Sequence, residues 1–282
     1  MKDPVAASIE YMWQHLDEQI TLDNMASAAL FSRFYFSRVF HGVTGTSPGR
    51  FLTAVRMAQS KIILATTDYS VSEVAASVGY DSLGTFTTKF SKSVGISPAV
   101  FRKYSRNPDC WEQDGFRQAR PSGPAGTGRL VGTLELAQAL PPESLANCRT
   151  YVVAFKSATT EGLPYACEII DGLAGWRMLD LPDGEWFIRA ITVATGTADH
   201  IPPRRAPLLV GGITRVRISG GASVPVTVPM HEPAITDLPI LILIPELDCF
   251  NKPANRRSLG TGYRTGAASF RSAGQRAYSP AI

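Results

Sequence analysis

A repeat spaced by fifty residues is the feature that most constrains how this 282-residue chain folds. Shifted by fifty positions, the sequence matches itself without a gap at positions that include Ala26/Ala76, Ser32/Ser82, Phe36/Phe86, Phe40/Phe90, Gly45/Gly95, Ser47/Ser97, Pro48/Pro98 and Phe51/Phe101. Such self-similarity indicates two copies of one supersecondary unit, which sets the architecture of this part of the chain.

Each copy predicts a short helix, a tight turn and a longer helix. Apolar residues at helical spacing mark the short helices: Leu22, Met25, Ala26 and Ala29, then Val71, Val74, Ala75 and Val78. Paired phenylalanines four residues apart give each longer helix an aromatic stripe. We expect Ser32 and Ser82 to cap these longer helices, and Gly45 and Gly95 to end them. The Ser-Pro pairs that follow then start new helices.

Two helices joined by a short turn describe a helix-turn-helix unit, which we predict at about 22–45 and again at 71–95. An ordinary helical bundle with an accidental repeat is the alternative, and the matching caps and stops of both copies argue against it. Between the copies, residues 48–66 predict one helix of roughly 28 Å, at about 1.5 Å per residue. That length suits two recognition helices in neighbouring major-groove segments, since one turn of B-DNA is about 34 Å.

The stretches FSRFYFSRVFHGVTGTSPGRFLTAVRM and VSEVAASVGYDSLGTFTTKFSKSVGISPAVFRKY carry a family resemblance. With them, residues 5–105 resemble the AraC/XylS-type DNA-binding domain. The resemblance implies seven helices, with two helix-turn-helix units on either side of a long helix, and regulation of transcription at promoters. Double-stranded promoter DNA and RNA polymerase are the partners that we expect of such a regulator.

In the first recognition helix, spacing turns Phe36, Val39 and Phe40 inward. The outward side chains are the candidate DNA contacts: Arg33, Phe34, Ser37, Arg38 and His41. Arg38 is the strongest base-reading candidate, because arginine can donate two hydrogen bonds to guanine; a phosphate contact or a solvated arginine is the alternative. The resemblance implies base contacts at Phe34, Ser37 and Arg38, with Phe34 against a thymine methyl or a sugar.

The second recognition helix offers shorter groups. Its candidate DNA contacts are Leu83, Gly84, Thr87, Thr88, Lys89 and Lys92. The family often has long polar side chains at these positions, and this sequence lacks them. We therefore expect the first unit to supply most of the sequence discrimination, and the second to supply affinity through phosphates.

Beyond the helical domain, predicted over 1–105, the pattern changes to period two. The predicted fold class is α + β multidomain: an N-terminal all-α tandem helix-turn-helix domain and a C-terminal, mostly antiparallel β-sandwich. We expect a linker over 106–128, the sandwich over 129–250 and a basic, disordered tail over 251–282. The predicted strands are Arg129–Leu136, Arg149–Lys156, Tyr165–Ile170, Trp186–Thr192, Leu208–Val210, Thr214–Ile218, Val224–Val228 and Ile240–Ile244.

One stretch of the β part, GWRMLDLPDGEWFIRAITV, resembles a hairpin of transthyretin-like or carboxypeptidase-regulatory-like sandwiches. Residues 129–250 carry nine basic and thirteen acidic residues, so this part is not expected to face phosphates. The tail carries six basic residues and no acidic ones, which suits either phosphate contacts or a solvated segment.

The role of the β part stays open between effector sensing and dimerisation, so a small-molecule effector and a homodimer are further candidate partners. One alternative is a partner-recruitment domain with no small-molecule effector; a second is an enzyme fused to a DNA-binding domain. The chain contains no nucleophile elbow, paired-carboxylate signature or phosphate loop, and its four cysteines lack metal-binding spacing. We therefore predict no catalytic residues, metal or cofactor. No signal-peptide core or membrane-length apolar run occurs, which predicts a cytoplasmic protein.

Overall fold

The computed structural model describes residues 3–107, 126–138, 145, 147–195 and 207–244. Within the first of these ranges lie seven helices: α1 Pro4–Gln14, α2 Leu22–Ala28, α3 Arg33–Thr44, α4 Pro48–Thr66, α5 Val71–Ser77, α6 Leu83–Val94 and α7 Pro98–Arg106. The number and the arrangement of these helices match the prediction. Among the described residues, no helix is both long and apolar enough to cross a membrane.

Each copy of the repeat has its own core, and α4 takes part in both. In the first unit Phe36, Phe40 and Phe51 are fully buried, and Phe40 meets Phe51 edge to face with ring centroids 5.4 Å apart. In the second unit Phe90 makes the corresponding contact with Phe101, at 5.7 Å. The predicted aromatic stripes are therefore confirmed as the centres of the two cores.

The register of the repeat is not uniform. The longer helices α3 and α6 are related by fifty positions, but α2 and α5 are related by forty-nine. Ala26 is buried in the first unit, and its structural counterpart is the buried Ala75, whereas Ala76 is exposed. The gap-free match of Ala26 with Ala76 was therefore wrong, because the turn of the second unit is one residue longer.

The predicted helix ends are largely confirmed. Gly45 and Gly95 end α3 and α6 in the left-handed conformation, with φ of 70° and 96°. Ser82 Oγ accepts from Thr85 N–H at 3.4 Å, as expected of a cap. Ser32 occupies the corresponding N-cap position of α3, but its side chain makes no capping hydrogen bond.

The turn of the first unit contains a strained residue. Leu30 has φ of 58° and is 92% exposed, whereas Gly79 holds the equivalent position of the second unit, with φ of 76°. A left-handed conformation costs a residue with a Cβ about 1–2 kcal/mol, and glycine adopts it freely.

We expect Leu30→Gly to raise the free energy of unfolding by about 0.5–1 kcal/mol, after the entropy of the added glycine is subtracted. Leu30→Ala is the matched control, since it removes the exposed side chain and keeps the Cβ. Urea unfolding followed by the helical circular dichroism signal measures both. An equal gain in the two variants would show that exposure, and not backbone strain, limits stability here.

The β part consists of eight strands over the described residues: β1 Gly128–Leu136, β2 Cys148–Phe155, β3 Ala166–Asp171, β4 Trp176–Leu181, β5 Gly184–Ala194, β6 Leu209–Gly211, β7 Thr214–Ile218 and β8 Ser223–His231. Seven of them form one path in the order β3-β2-β5-β6-β8-β1-β4, and β7 pairs with β5. Strands β1 and β8 run parallel, from Arg129 opposite Ser223 to Leu136 opposite Met230. The other pairs are antiparallel.

This single sheet curls around a core, so that its end strands β3 and β4 come into contact. The inner face buries residues from strands along the whole path, including Val152, Trp186, Val228 and Leu130. The mostly antiparallel character is confirmed, but the predicted sandwich is corrected to a barrel-like sheet. Strand β4 was absent from the predicted strands, although it lies in the hairpin stretch that carried the second resemblance.

The predicted strand Ile240–Ile244 is wrong. Residues 235–244, which we call the strap, run between the helices and the sheet as an irregular segment. Leu241 and Leu243 pack into the core of the second unit, whereas Ile242 and Ile244 pack against β2 and β5. The apolar residues of the strap do alternate, but both of its faces are covered by side chains, and within the described residues it is not part of a strand.

Side-chain donors, and not the backbone of a neighbouring strand, form hydrogen bonds with several carbonyls of the strap. Lys61 of α4 is buried, and its Nζ donates to the carbonyls of Ile240, Leu241 and Ile242 at 3.2–3.4 Å. Arg189 of β5 donates to the carbonyl of Leu238. The predicted linker over 106–128 falls mostly outside the described residues, and the basic tail over 251–282 falls wholly outside them.

Candidate nucleic-acid interface

The outward face of α3 holds the first set of candidates. Phe34 is 91% exposed, an unusual position for a phenylalanine. Arg33, Arg38 and His41 are also exposed, and Ser37 is half-buried. Phe36 and Phe40 on the opposite face are fully buried, so the aromatic stripe fixes which side of the helix faces out.

Neighbouring side chains orient the two arginines of this face. Arg33 Nε lies 3.0 Å from Asp23 Oδ1 of α2, which holds it at the start of the helix. The Arg38 guanidinium lies over the Tyr35 ring, 5.5 Å from its centroid. Tyr35 is itself 46% exposed, and spacing had not singled it out. An aromatic residue three positions before an outward arginine was the available signal.

The first residues of α6 carry shorter and less charged side chains than those of α3. Leu83 is partly exposed, Gly84 and Thr88 are exposed, and Thr87 is half-buried. A Cβ on Gly84 would meet only Ser82 Oγ, at 3.8 Å, so this glycine leaves open surface where a backbone can approach closely. Lys89 and Lys92 are exposed further along the helix. Every predicted candidate on α6 except Thr87 is therefore exposed.

The two units are also joined directly, through the segment between α1 and α2. Gln19 Nε2 donates to Asp81 Oδ2 at 3.0 Å, and Arg56 of α4 donates to the Glu18 carbonyl at 2.6 Å. Arg56 also lies 5.7 Å from the centroid of Tyr80, and its partial burial lowers its pKa. A Cβ on Gly79 would come within 2.4 Å of the Leu16 carbonyl. These contacts hold the two recognition helices in a fixed relation.

Two further arginines are engaged within the protein. Arg102 of α7 donates to the Tyr69 carbonyl, and Arg106 donates to Asp68 Oδ1 at 2.7 Å. Both contacts tie α7 to the loop that precedes α5, so they stabilise the second unit. The two arginines are therefore less available to phosphates.

The sheet contacts the end of the second recognition helix. Gly162 N–H donates to the Ser93 carbonyl of α6 at 2.9 Å. A Cβ on Gly95, just after the helix, would come within 2.7 Å of the Leu163 side chain. With the strap, these contacts dock the sheet on both units while the start of each recognition helix stays exposed.

Residues 25–104 match the family model described as helix-turn-helix domain. The right origin-binding protein of Escherichia coli K12 is 35% identical over 103 residues, which are 36% of this chain and 34% of that protein. The transcriptional regulator Rob of Salmonella typhimurium is 34% identical over 103 residues, which are 36% of this chain and 34% of that protein. The MmsAB operon regulatory protein of Pseudomonas aeruginosa is 31% identical over 96 residues, 34% of this chain and 31% of that protein.

The chain thus spans about a third of the length of the curated relatives it matches. Among solved structures, the DNA-binding domain of AdpA in complex with a target DNA has 33% identity and a TM-score of 0.35, over 43% of this chain and 100% of that one. A probable AraC family transcriptional regulator from Rhodopseudomonas palustris has 23% identity and a TM-score of 0.34, over 38% and 100%. The helical part is a helix-turn-helix domain of the AraC/XylS type, as its residues indicated.

Proposed function

We propose that this protein is a sequence-specific DNA-binding regulator of transcription. The observation that carries the proposal is the pair of buried aromatic cores, each of which leaves the face of a recognition helix exposed. Phe34 and Arg38 on the first of these faces are suited to base edges, since phenylalanine packs on thymine methyls and arginine pairs with guanine. The names of the relatives matched by the helix-turn-helix part describe regulators and an origin-binding protein.

The regulator proposal is tested by transcription in vitro. Promoter fragments that the full chain binds in a mobility-shift assay are transcribed by purified RNA polymerase with and without the protein. We expect the transcript level to change at bound promoters and to stay constant at unbound ones. Tight binding that leaves every transcript unchanged would contradict the proposal.

The two units divide the work in this proposal. The first supplies base recognition, and the second supplies phosphate contacts through Lys89 and Lys92, whose exposed ammonium groups lie on α6. We expect Lys92→Ala to weaken binding to all duplexes alike and to reduce the slope of log affinity against log salt by about 1. Fluorescence anisotropy at several salt concentrations measures this.

Arg129→Ala is the matched control for Lys92→Ala, because it removes one positive charge from an exposed position of the sheet. Its salt slope should equal that of the wild type. A loss of affinity confined to one sequence in Lys92→Ala would instead make this lysine a base-reading residue.

For the sheet, we propose effector sensing. The strap and the loop after β2 join the sheet to both units, so a molecule bound at this junction would contact parts of both the sheet and the DNA-binding helices. Dimerisation and partner recruitment are the competing roles. Sedimentation of the full chain at rising concentration tests dimerisation. A protein that stays monomeric and still binds DNA selectively does not need a second copy.

A further inference from the structure

A cleft of about 540 Å³ lies between the first unit and the sheet. Its walls are the end of α3 with the start of α4, the loop 158–161, strands β5 to β7 and residues 236–241 of the strap. Its volume lies within the roughly 300–1,000 Å³ typical of small-molecule sites. On the α3 side the lining begins at Gly42, directly after the DNA-binding candidate His41.

Arg189 places a positive charge deep in this cleft. The side chain is 4% exposed, and burial lowers its pKa to about 10, an effect that Asp237 only partly opposes. Within the described part of the chain, its guanidinium donates to a single acceptor, the Leu238 carbonyl. A guanidinium has five N–H donors, and a buried charge is costly unless it is paired. Arg189 is therefore equipped to receive an anion from the cleft.

Thr160 adds an unused hydrogen-bonding group to the same lining. It is 3% exposed, and its hydroxyl has no hydrogen-bond partner among the described residues. A buried hydroxyl without a partner destabilises the ligand-free protein. A bound molecule with an acceptor or donor at this point would remove that penalty.

The remaining lining selects among anions. Glu161 and Asp237 also face the cleft, and both would repel a doubly charged phosphate. The Asp237 carboxylate lies 3.0 Å from His231 Nε2, and Arg215 is paired with Glu185. Asp237 and Arg215 therefore each already have a partner within the protein. Arg50 is exposed at the helical edge of the cleft.

Apolar groups complete the cleft. Phe187, Leu238 and Leu241 lie in the lining, where they suit a hydrocarbon body. We propose that the cleft binds a small organic monocarboxylate, with its carboxylate on Arg189, a hydrogen bond from Thr160 and an apolar body against Phe187 and Leu241. This inference rests on the proposed function, since it names the class of effector that the sheet would sense.

A ligand held in this way would touch the end of the first recognition helix and the sheet at once. If the ligand binds more tightly to one arrangement of the first recognition helix relative to the sheet than to another, it changes the affinity of the protein for DNA. Linkage then requires that DNA change the affinity for the carboxylate by the same factor.

The test uses the full chain and a matched pair of probes, 4-phenylbutanoate and the neutral 4-phenylbutanamide, in isothermal titration calorimetry. We expect saturable binding of the acid, and binding of the amide weaker by about tenfold or more, since the charge-assisted hydrogen bonds to Arg189 are lost. Arg189→Met should abolish the difference between the probes. Inorganic phosphate should not compete with the acid.

Thr160→Val keeps the test sound if Arg189→Met does not fold, because it preserves the shape of a side chain whose hydroxyl has no partner. We expect its melting temperature without ligand to equal or exceed that of the wild type, and its affinity for the acid to fall about fivefold. Thr133→Val, on the exposed face of β1, is the control and should bind like the wild type.

The inference is overturned if the wild type shows no saturable binding, if the acid and the amide bind equally, if phosphate displaces the acid, or if Thr160→Val binds the acid unchanged. DNA selectivity is measured on the same samples. A failed titration with selective DNA binding overturns this inference alone, whereas a loss of selectivity in the wild type overturns the proposed function.

Discussion

Replacing Phe40 by alanine should lower the free energy of unfolding by about 3–5 kcal/mol, the usual cost of removing a fully buried phenylalanine. The ring is inaccessible and packs on both Phe36 and Phe51, at 5.3 and 5.4 Å between centroids. Its loss would remove the ring contact between Phe40 of α3 and Phe51 of α4 and leave a cavity there. Urea unfolding followed by the helical circular dichroism signal measures the loss.

Phe34→Ala is the matched control, since it removes the same ring from the opposite face of the same helix. Because Phe34 is 91% exposed, its stability should stay within about 0.5 kcal/mol of the wild type. Its affinity for a selected DNA site should nevertheless fall. If Phe34→Ala unfolds as easily as Phe40→Ala, the assignment of the two faces of α3 is wrong.

Replacing Arg38 by alanine should relax sequence specificity at one base pair, at a cost of about 1–3 kcal/mol in binding to the preferred site. This corresponds to a roughly 5- to 150-fold loss of affinity. The side chain is exposed and oriented by the Tyr35 ring, so its loss should not disturb the fold. Anisotropy on the preferred site and on a random duplex measures the ratio of the two affinities.

Arg33→Ala provides the comparison for Arg38→Ala. Arg33 is paired with Asp23, so its removal should lower both affinities only slightly and leave their ratio intact. An unchanged ratio in Arg38→Ala would show that this arginine contacts phosphate or solvent and not a base.

The helical part could be predicted from the sequence because its signals are local. Helical spacing, the glycines after α3 and α6, and the Ser-Pro starts each act within a few residues. The forty-nine-residue relation of α2 to α5 was missed because an identity, Ala26 with Ala76, fell by chance on the shifted register. Leu30 shows why the longer second turn was hard to see, since a leucine occupies the left-handed position that glycine occupies in the second unit.

The β part was harder because its decisive contacts are distant in sequence. The parallel pairing of β1 with β8 joins residues about ninety-four positions apart, such as Leu130 with Val224, and no local pattern encodes it. The strap shows a second limit. Its alternating apolar residues predict a strand, but the same pattern arises in any extended segment that is covered on both sides. The tertiary structure shows which case applies, because Lys61 and Arg189 donate to carbonyls of the strap.

The candidate DNA contacts could be listed from the sequence, because burial of one face of a helix defines the other. The cleft could not be predicted from the sequence, because Arg189, Thr160 and Asp237 are brought together by the folding of the sheet and the strap. In the sequence, Arg189 is one charged residue within an apolar strand, a pattern equally typical of an edge strand or a bulge.

Selection of binding sites from random duplex DNA by the full chain tests the central claim most directly. The account predicts enrichment of one asymmetric site with two elements about one helical turn apart, roughly ten base pairs between centres. The element read by the first unit should be the better defined, and it should degrade at one position in Arg38→Ala. Enrichment of no motif, at a salt concentration where the chain still binds DNA, would contradict the claim that the tandem helices recognise sequence.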